Sequence, residues 1–345
     1  MISEIELILL GVMAFGLSGL LTIPIRKFAI SRDITDKPNL ARKSQLEPVP
    51  YLGGLSIALS VSILTFSAVI YSDNTQTTYS LALTLLVPAL FLGLIGLVDD
   101  IIGLNPLPRL FIQTVMAVAV SIFLIRSDTV GVSFDKTFLD ETLMIIWIIG
   151  ICNSINFFDN LDGGAAGTVA ISTIGISLIA WGENQELIAS LALVTAGSTL
   201  GFLIWNKSPA KIYMGDAGAL FLGVVVSVLT IRLNPGITHV WNSISLLPML
   251  LAVPILDTCI AVFSRLRRGI SPFTGGKDHL SHRLMRKGMS KTNTAFCLWG
   301  MQASFVAIAL VVYFFSTTLG TPGVVLAGAY WLGAFVWFWR IPSTD

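Results

Sequence analysis

The sequence predicts an all-α integral membrane protein, a polytopic helical bundle of about eleven transmembrane helices. Of its 345 residues, 54% are hydrophobic and only 12% are charged, whereas soluble domains usually carry about 25% charged residues. The mean hydropathy is +0.82. Apolar stretches of about 16 to 23 residues recur along the chain, and a helix of about 20 residues crosses the hydrocarbon core of a bilayer.

Eleven apolar stretches follow one another, separated by polar loops. Their centres lie near Met13, Ser62, Ala89, Val118, Ile149, Ile174, Ala192, Val225, Ala252, Ala307 and Ala329. The first stretch follows Glu4 and Glu6 rather than a basic segment, and no small-residue cleavage site comes after it. It is therefore expected to be a retained anchor and not a signal peptide. Because no internal repeat is evident, we expect a single domain over residues 1–345.

The distribution of Lys and Arg predicts the side on which each loop lies. If successive stretches cross the membrane in opposite directions, eighteen of the 21 basic residues fall in loops on the same side. Cytoplasmic loops carry such an excess of basic residues. The exceptions are Arg126, Lys136 and Arg232. The amino terminus is therefore expected outside and the carboxyl terminus in the cytoplasm, in a multi-pass protein of the inner (plasma) membrane.

Residues suited to phosphate chemistry are concentrated in the predicted inner loops, and the outer loops carry nothing comparable. These loops cover residues 26–51, 99–109, 153–167, 206–218 and 264–293. Acidic residues that cluster beside glycines on one side of a membrane are hard to explain by stability alone. The pattern predicts one polar active site at the cytoplasmic surface.

A pair of adjacent acids, Asp99 and Asp100, closes the third apolar stretch. Two neighbouring carboxylates at an interface repel each other and lose hydration, so a cation or a protonated partner is expected beside them. Carboxylates together with a diphosphate are the usual ligands of Mg²⁺. The spaced Asp-Asp-x-x-x-Asp pattern of prenyl-transferring enzymes is absent, which disfavours that alternative.

Two further acidic loops precede predicted helices. Asn156, Asp159 and Asp162 come just before a glycine-rich helix start, where backbone amides are able to bind an anion. In the next inner loop, Asp216 follows Tyr213. An ordinary helix cap would explain Asp216 alone, but its position on the same side as the other acids favours metal ligation, and Tyr213 is a candidate to stack on a base.

The final inner loop is basic and carries two of the three histidines. His279 and His282 are three residues apart and follow Arg265 and Arg268. Arginine donates two parallel hydrogen bonds to phosphate oxygens, and imidazole is able to donate or exchange a proton. We therefore expect the histidines to be catalytic and the arginines to bind substrate. Lys43, in the first inner loop, is a further candidate for substrate binding.

The motifs in these five inner loops, in this order and spacing, resemble those of the polyprenyl-phosphate N-acetylhexosamine-1-phosphate transferases. This is the family of the bacterial MraY and WecA enzymes, glycosyltransferase family 4. The resemblance spans about Asp36 to Arg283. It implies transfer of a sugar phosphate from a UDP-linked N-acetyl amino sugar to polyprenyl phosphate, with release of UMP. It also implies a requirement for Mg²⁺, with Mn²⁺ as an alternative.

The resemblance implies a role for most of the acids singled out above. Asp99 and Asp100 match the paired aspartates of the family, the first of which would deprotonate or position the lipid phosphate. Asp216 matches the metal-binding aspartate, and Tyr213 matches the aromatic residue that stacks on uracil. The nucleoside-contacting and histidine motifs are matched by Asn156, Asp159, Asp162, His279 and His282.

The chain also departs from the family pattern at several positions. Asn160 replaces the first glycine of the usual Asp-Gly-x-Asp-Gly, and Ser281 replaces a histidine in His-x-His-His. Ala219, Gly276 and Gln45 stand where serine, aspartate and histidine are usual. The set of acids is intact.

The resulting hypothesis is an enzyme that starts cell-envelope polysaccharide synthesis by making a lipid-linked sugar. Its partners would be a UDP-N-acetyl amino sugar, polyprenyl phosphate and membrane lipids, with no nucleic acid, and a homodimer is left open. The arginine-rich final loop favours transfer of N-acetylglucosamine 1-phosphate. A transporter, whose sites usually lie at the bilayer midplane, and a different lipid phosphotransferase or prenyltransferase are the alternatives.

Overall fold

The computed structural model describes residues 2–36, 48–70 and 75–343. Lys43 lies outside these ranges, so its role stays a prediction. The described chain forms a small antiparallel ribbon, in which Thr35 pairs with Pro50, and thirteen α-helices. The elements are α1 (Glu4–Ser31), β1 (Thr35–Asp36), β2 (Val49–Pro50), α2 (Gly53–Ile70), α3 (Thr75–Ile102), α4 (Pro106–Arg126), α5 (Thr137–Phe158), α6 (Gly164–Gly182), α7 (Glu186–Asn206), α8 (Gly215–Arg232), α9 (Val240–Leu250), α10 (Ala252–Arg267), α11 (Leu280–Arg286), α12 (Lys291–Phe314) and α13 (Ser316–Trp339).

The predicted polytopic bundle is confirmed. Among the described residues, ten helices are long and apolar enough to cross a membrane, namely α1 to α8, α12 and α13. An eleventh span results if α9 and α10, which meet at an angle of 73°, are counted as one. The side on which each terminus lies stays a prediction.

The ninth predicted stretch is broken at its centre, where Leu251 separates α9 from α10. Pro254 lies in the first turn of α10, and a proline ring clashes with the carbonyl four residues earlier. The side chain of Gln302, from α12, replaces the lost backbone bonds. Its amide nitrogen donates to the Leu250 carbonyl at 2.9 Å, and its oxygen accepts from the Val253 amide at 3.0 Å.

Helix α8 forms the centre of the bundle, since 89% of its span is buried, compared with 17% for the peripheral α13. Helices α2, α3 and α5 pack around it. Apolar side chains of the outer helices, such as Ile5 and Val325, are exposed, as expected for surfaces that face lipid. The start of α8 is thereby placed between the ends of α3 and α5.

A close approach of α3 to α8 sets the geometry of this end of the bundle. At Gly96 an added Cβ atom would lie 2.3 Å from the backbone oxygen of Asp216. Only glycine allows the two backbones to come so near. Because Asp99 and Asp100 follow Gly96 by about one helical turn, this contact brings both acids to the start of α8.

Candidate active site

A cavity of about 420 Å³ lies at one end of the bundle, among the ends of α3 and α5 and the start of α8. Its wall contains acids from four separate segments of the sequence, together with aromatic and basic side chains. The predicted site residues in this wall are Asp99, Asp100, Asp159, Asp162, Tyr213, Asp216 and His282. The fold therefore brings most of the predicted acidic site together.

An arginine bridges two of these acids. Nη1 of Arg109 lies 2.5 Å from Oδ2 of Asp99 and 2.7 Å from Oδ2 of Asp216. The predicted residue Asn156 donates its amide hydrogen to the other oxygen of Asp216 at 2.7 Å. Sequence reasoning assigned no site role to Arg109. The available signal was that Arg109 is the one basic residue in the segment 99–109.

The two adjacent aspartates make different contacts. The carboxylate of Asp100 accepts hydrogen bonds from the backbone amides of Asp216, at 2.9 Å, and Ala217, at 3.1 Å. It therefore binds the start of α8, where backbone donors point outward. Gly215 has φ of +73°, and a Cβ atom there would lie 2.5 Å from Asp100 Oδ2, so both its conformation and its surroundings require glycine.

The loop between α5 and α6 supplies two more carboxylates. Asp159 is half-buried, and removal from water together with the charges of Asp216 and Asp100 raises its pKa to about 8. Asp162 accepts a hydrogen bond from the Ala210 amide at 3.3 Å and lies 3.7 Å from Nζ of Lys291. The cavity wall therefore holds more acidic than basic residues, and Asp159 keeps its proton for the most part at neutral pH.

The predicted aromatic residue lines the same cavity. The rings of Tyr213 and Tyr51 both lie in the wall, with their centroids 6.3 Å apart. Burial raises the pKa of both phenols, so both keep their protons at neutral pH. The two rings are tilted by 48° relative to each other and lie in the same wall as the acids, and Tyr51 was not recognised from the sequence.

His279 does not line the cavity but lies behind its wall. Its Nδ1 is 2.7 Å from Oδ2 of Asp257, and its Nε2 is 3.1 Å from Nη2 of Arg265. Because arginine nitrogens only donate, Nε2 accepts and Nδ1 carries the proton that is donated to Asp257. Asp257 is fully buried and also accepts from the Leu280 amide at 2.7 Å. Asp257 therefore orients the histidine loop.

The two predicted arginines also lie outside the acidic cavity. Arg265 donates to Asp278 at 2.8 Å, and Arg268 forms an ion pair with the same carboxylate. Both line a neighbouring cavity of about 280 Å³, together with Lys277 and Arg286. Direct substrate binding by Arg265 and Arg268 stays a prediction, whereas their contacts with the histidine loop are observed.

The acidic cavity suits a divalent cation that is shared with a phosphate ligand. Among the residues that the structure describes, no three His, Cys, Asp or Glu side chains lie close enough together to hold a metal ion alone. Mg²⁺ usually takes only one or two carboxylates and completes its shell with water and substrate phosphates. The carboxylates of Asp99 and Asp216, joined by Arg109, fit such an ion.

The fold and the cavity define a polytopic membrane protein with a carboxylate-lined site at one end of its helical bundle. The model of glycosyl transferase family 4 matches residues 82–234. A probable undecaprenyl-phosphate N-acetylglucosaminyl 1-phosphate transferase of Bacillus subtilis is 33% identical over 92% of this chain and 85% of its own length. The chain therefore belongs to glycosyl transferase family 4 and is a membrane-bound transferase.

Two other relatives match over most of the chain. The decaprenyl-phosphate N-acetylglucosaminephosphotransferase of Mycobacterium leprae is 31% identical over 92% of this chain and 84% of the relative. The phospho-N-acetylmuramoyl-pentapeptide-transferase of Oceanobacillus iheyensis is 29% identical over 76% of this chain and 84% of the relative. The resemblance seen in the sequence motifs is thus confirmed.

Proposed function

We propose that this protein transfers N-acetylglucosamine 1-phosphate from UDP-N-acetylglucosamine to a polyprenyl phosphate of the undecaprenyl type and releases UMP. The reaction would take place at the cytoplasmic face of the plasma membrane and would begin the synthesis of a cell-envelope polysaccharide. The convergence of six aspartates around one cavity, two of them bridged by Arg109, carries this proposal. Two relatives with 33% and 31% identity are both named as N-acetylglucosamine enzymes, which supports the choice of sugar.

The reaction requires positioning and charge neutralisation more than covalent help from the protein. An oxygen of the polyprenyl phosphate attacks the phosphorus that bears the sugar, in line with the leaving oxygen of UMP. A new phosphorus–oxygen bond forms as the bond to UMP breaks. Arg109, which contacts Asp99 and Asp216, would donate hydrogen bonds to phosphate oxygens of the substrate, and Asn156 keeps the carboxylate of Asp216 oriented.

A divalent cation fits this scheme. When bound by Asp216 and Asp99, Mg²⁺, or Mn²⁺ in its place, would neutralise charge on the diphosphate. Asp100 has a different role. Its carboxylate accepts hydrogen bonds from the backbone amides at the start of α8 and thereby fixes the position of Asp216. The ring of Tyr213, which lies in the cavity wall, would stack on the uracil base.

A separate apolar cavity supports a lipid substrate. It has a volume of about 490 Å³ and lies between α5, α8, α9 and α10. Its wall includes Trp147, Pro248 and Ile255, and it reaches Ser154, two residues before Asn156. Part of an isoprenoid chain is therefore able to lie against the bundle while its phosphate reaches the acidic site.

The test uses purified protein, undecaprenyl phosphate and a panel of UDP-sugars, with mass spectrometry of the lipid product and measurement of UMP. We expect a lipid-linked N-acetylglucosamine product, and no UMP from Asp99→Asn, Asp100→Asn or Asp216→Asn. Asp128→Asn, in the exposed turn after α4, is the matched control and should retain activity. Full activity of all three site variants, or substrate flux across proteoliposomes without UMP release, would overturn the proposal.

A further inference from the structure

A chain of hydrogen bonds joins the loop after α5 to the start of α11 at the wall of the acidic cavity. The amide nitrogen of Asn160 donates to the Phe157 carbonyl at 2.6 Å. The hydroxyl of Ser281 donates to the side-chain oxygen of Asn160, and Oγ of Ser281 lies 3.3 Å from Nδ1 of His282. Asn160 and His282 line the cavity, whereas Ser281 is buried behind it.

The first bond fixes the direction of the others. Because the nitrogen of Asn160 faces a carbonyl, its oxygen must be the acceptor for Ser281. A serine hydroxyl has one hydrogen, which this bond uses, so Ser281 is able only to accept from His282. Nδ1 of His282 therefore carries the proton, and Nε2 keeps its lone pair.

We propose that Asn160 and Ser281 are positioning residues that hold His282 as its Nδ1–H tautomer, so that Nε2 accepts a hydrogen bond from a hydroxyl or the acetamido N–H of the transferred sugar. This inference rests on the proposed function. Asn160 and Ser281 are also two of the positions at which the chain departs from the family motifs. The structure shows that these two departures contact each other.

The surroundings of His282 favour the neutral ring. Burial, followed by the nearby His279, Arg286 and Lys277, lowers the pKa of His282 to about 4, although Asp257 acts in the opposite direction. The cavity wall that contains His282 also contains Lys291 and Asp162, which carry opposite charges and lie close to each other. A neutral imidazole has two tautomers, and the hydrogen bond from Nδ1 to Ser281 selects one.

Kinetics provide the first test. In Ser281→Ala and Asn160→Ala, kcat/KM for the UDP-sugar should fall about tenfold, the size of one lost hydrogen bond, while KM for polyprenyl phosphate stays unchanged. The double variant should be no worse than the poorer single variant, because both act through one ring. Ser281→Thr, which keeps the hydroxyl, should recover most activity. Ser172→Ala, a buried serine of α6, is the control and should match the wild type.

The outcomes separate this inference from the proposed function. A wild-type protein that makes no lipid-linked sugar refutes the function and, with it, the inference. A wild type that is active, together with additive losses or an unchanged kcat/KM in Ser281→Ala and Asn160→Ala, refutes the inference alone. A rise in KM for polyprenyl phosphate would likewise contradict the assignment of His282 to the sugar.

Nitrogen NMR of histidine-labelled protein gives a readout that requires no catalysis. The chain has three histidines, so His282→Gln identifies the signals of His282. We expect the Nδ1–H tautomer in the wild type and a mixture of tautomers in Asn160→Ala and Ser281→Ala. An Nε2–H tautomer in the wild type would overturn the inference even if Ser281→Ala failed to fold.

Discussion

At the scale of single residues, Arg109 decides the charge balance of the acidic cavity. Its guanidinium contacts Asp99 and Asp216, which come from different helices. Like charges held this close would otherwise repel each other. The same fork of donors matches a phosphate group, so in the proposed reaction Arg109 would also bind a phosphate of the substrate.

Loss of this arginine should therefore affect turnover more than folding. We expect Arg109→Ala to lower kcat by about 100-fold, as for the loss of one donor that stabilises transition-state charge. Arg109→Lys should recover only part of the rate, because lysine lacks the planar fork. Release of UMP is the measurement. Arg126→Ala, at the exposed opposite end of α4, is the control, and equal rates in Arg109→Ala and Arg126→Ala would contradict the assignment.

His282 should make stability depend on pH. Its pKa is about 4 in the folded chain, below the ordinary value of 6.5, so between these values the unfolded chain binds more protons. The contribution is therefore full above about pH 6.5 and is lost as the pH falls toward 4. We expect the melting temperature of the wild type in detergent to fall more than that of His282→Gln between pH 7 and pH 5. His239→Gln should follow the wild type, and parallel curves for all three proteins would refute this.

At the scale of helices, close contacts between backbones set the spacing of the site. The approach of α3 to α8 at Gly96 holds Asp99 near Asp216. The break between α9 and α10 sends α10 toward the histidine loop, where Asp257 contacts His279. Each feature depends on one residue in an otherwise apolar segment. This residue is a glycine where α3 approaches α8 and a proline at the break between α9 and α10.

A methyl group at Gly96 should separate the acids. In Gly96→Ala the new Cβ atom meets the Asp216 carbonyl, so α3 must move away, at a cost of about 1–3 kcal/mol for overpacking. We expect a fall in kcat of at least about tenfold in protein that still folds, measured by UMP release and by thermal unfolding. Gly16→Ala in α1, where the added methyl meets no atom within 4 Å, should keep full activity. Unchanged turnover in Gly96→Ala would show that the contact does not position the site.

At the scale of the whole molecule, the sequence was sufficient to predict the number of spans and the gathering of acids. Both follow from local signals, since apolar length reveals a span and alternation places every second loop on one side. The contact of Arg109 with two acids and that of Asp257 with His279 depend on how helices pack. Packing angles and close approaches are tertiary properties that hydropathy does not encode, so these partners were not predicted.

The break at Leu251 was also not predicted from the sequence. The apolar stretch around Ala252 is continuous in sequence and was predicted as one span. Two prolines, Pro248 and Pro254, were the available signal, but prolines also occur in unbroken membrane helices. The deciding partner, Gln302, lies 49 residues away in α12, and only the folded structure shows that it bonds the free backbone groups.

The basic residues predict the orientation of the molecule, and this prediction is open to direct measurement. Arg26 and Lys27 lie near the end of α1 from which the chain continues to the ribbon, and β2 leads to Tyr51 in the cavity wall. Since basic loops stay in the cytoplasm, the acidic cavity should face the cytoplasm, where it would meet a soluble nucleotide sugar. The exposed turn after α4 should then lie outside.

Labelling of single cysteines in spheroplasts tests this arrangement. In a background without Cys152, Cys259 and Cys297, a membrane-impermeant maleimide should modify Ser127→Cys in intact spheroplasts, because Ser127 is exposed beyond the end of α4. Ser31→Cys, exposed at the end of α1, should react only after the membrane is permeabilised. The reverse pattern would place the cavity outside, where a cytoplasmic UDP-sugar could not reach it, and the proposed reaction would then fail on topology alone, whatever the chemistry of its acids.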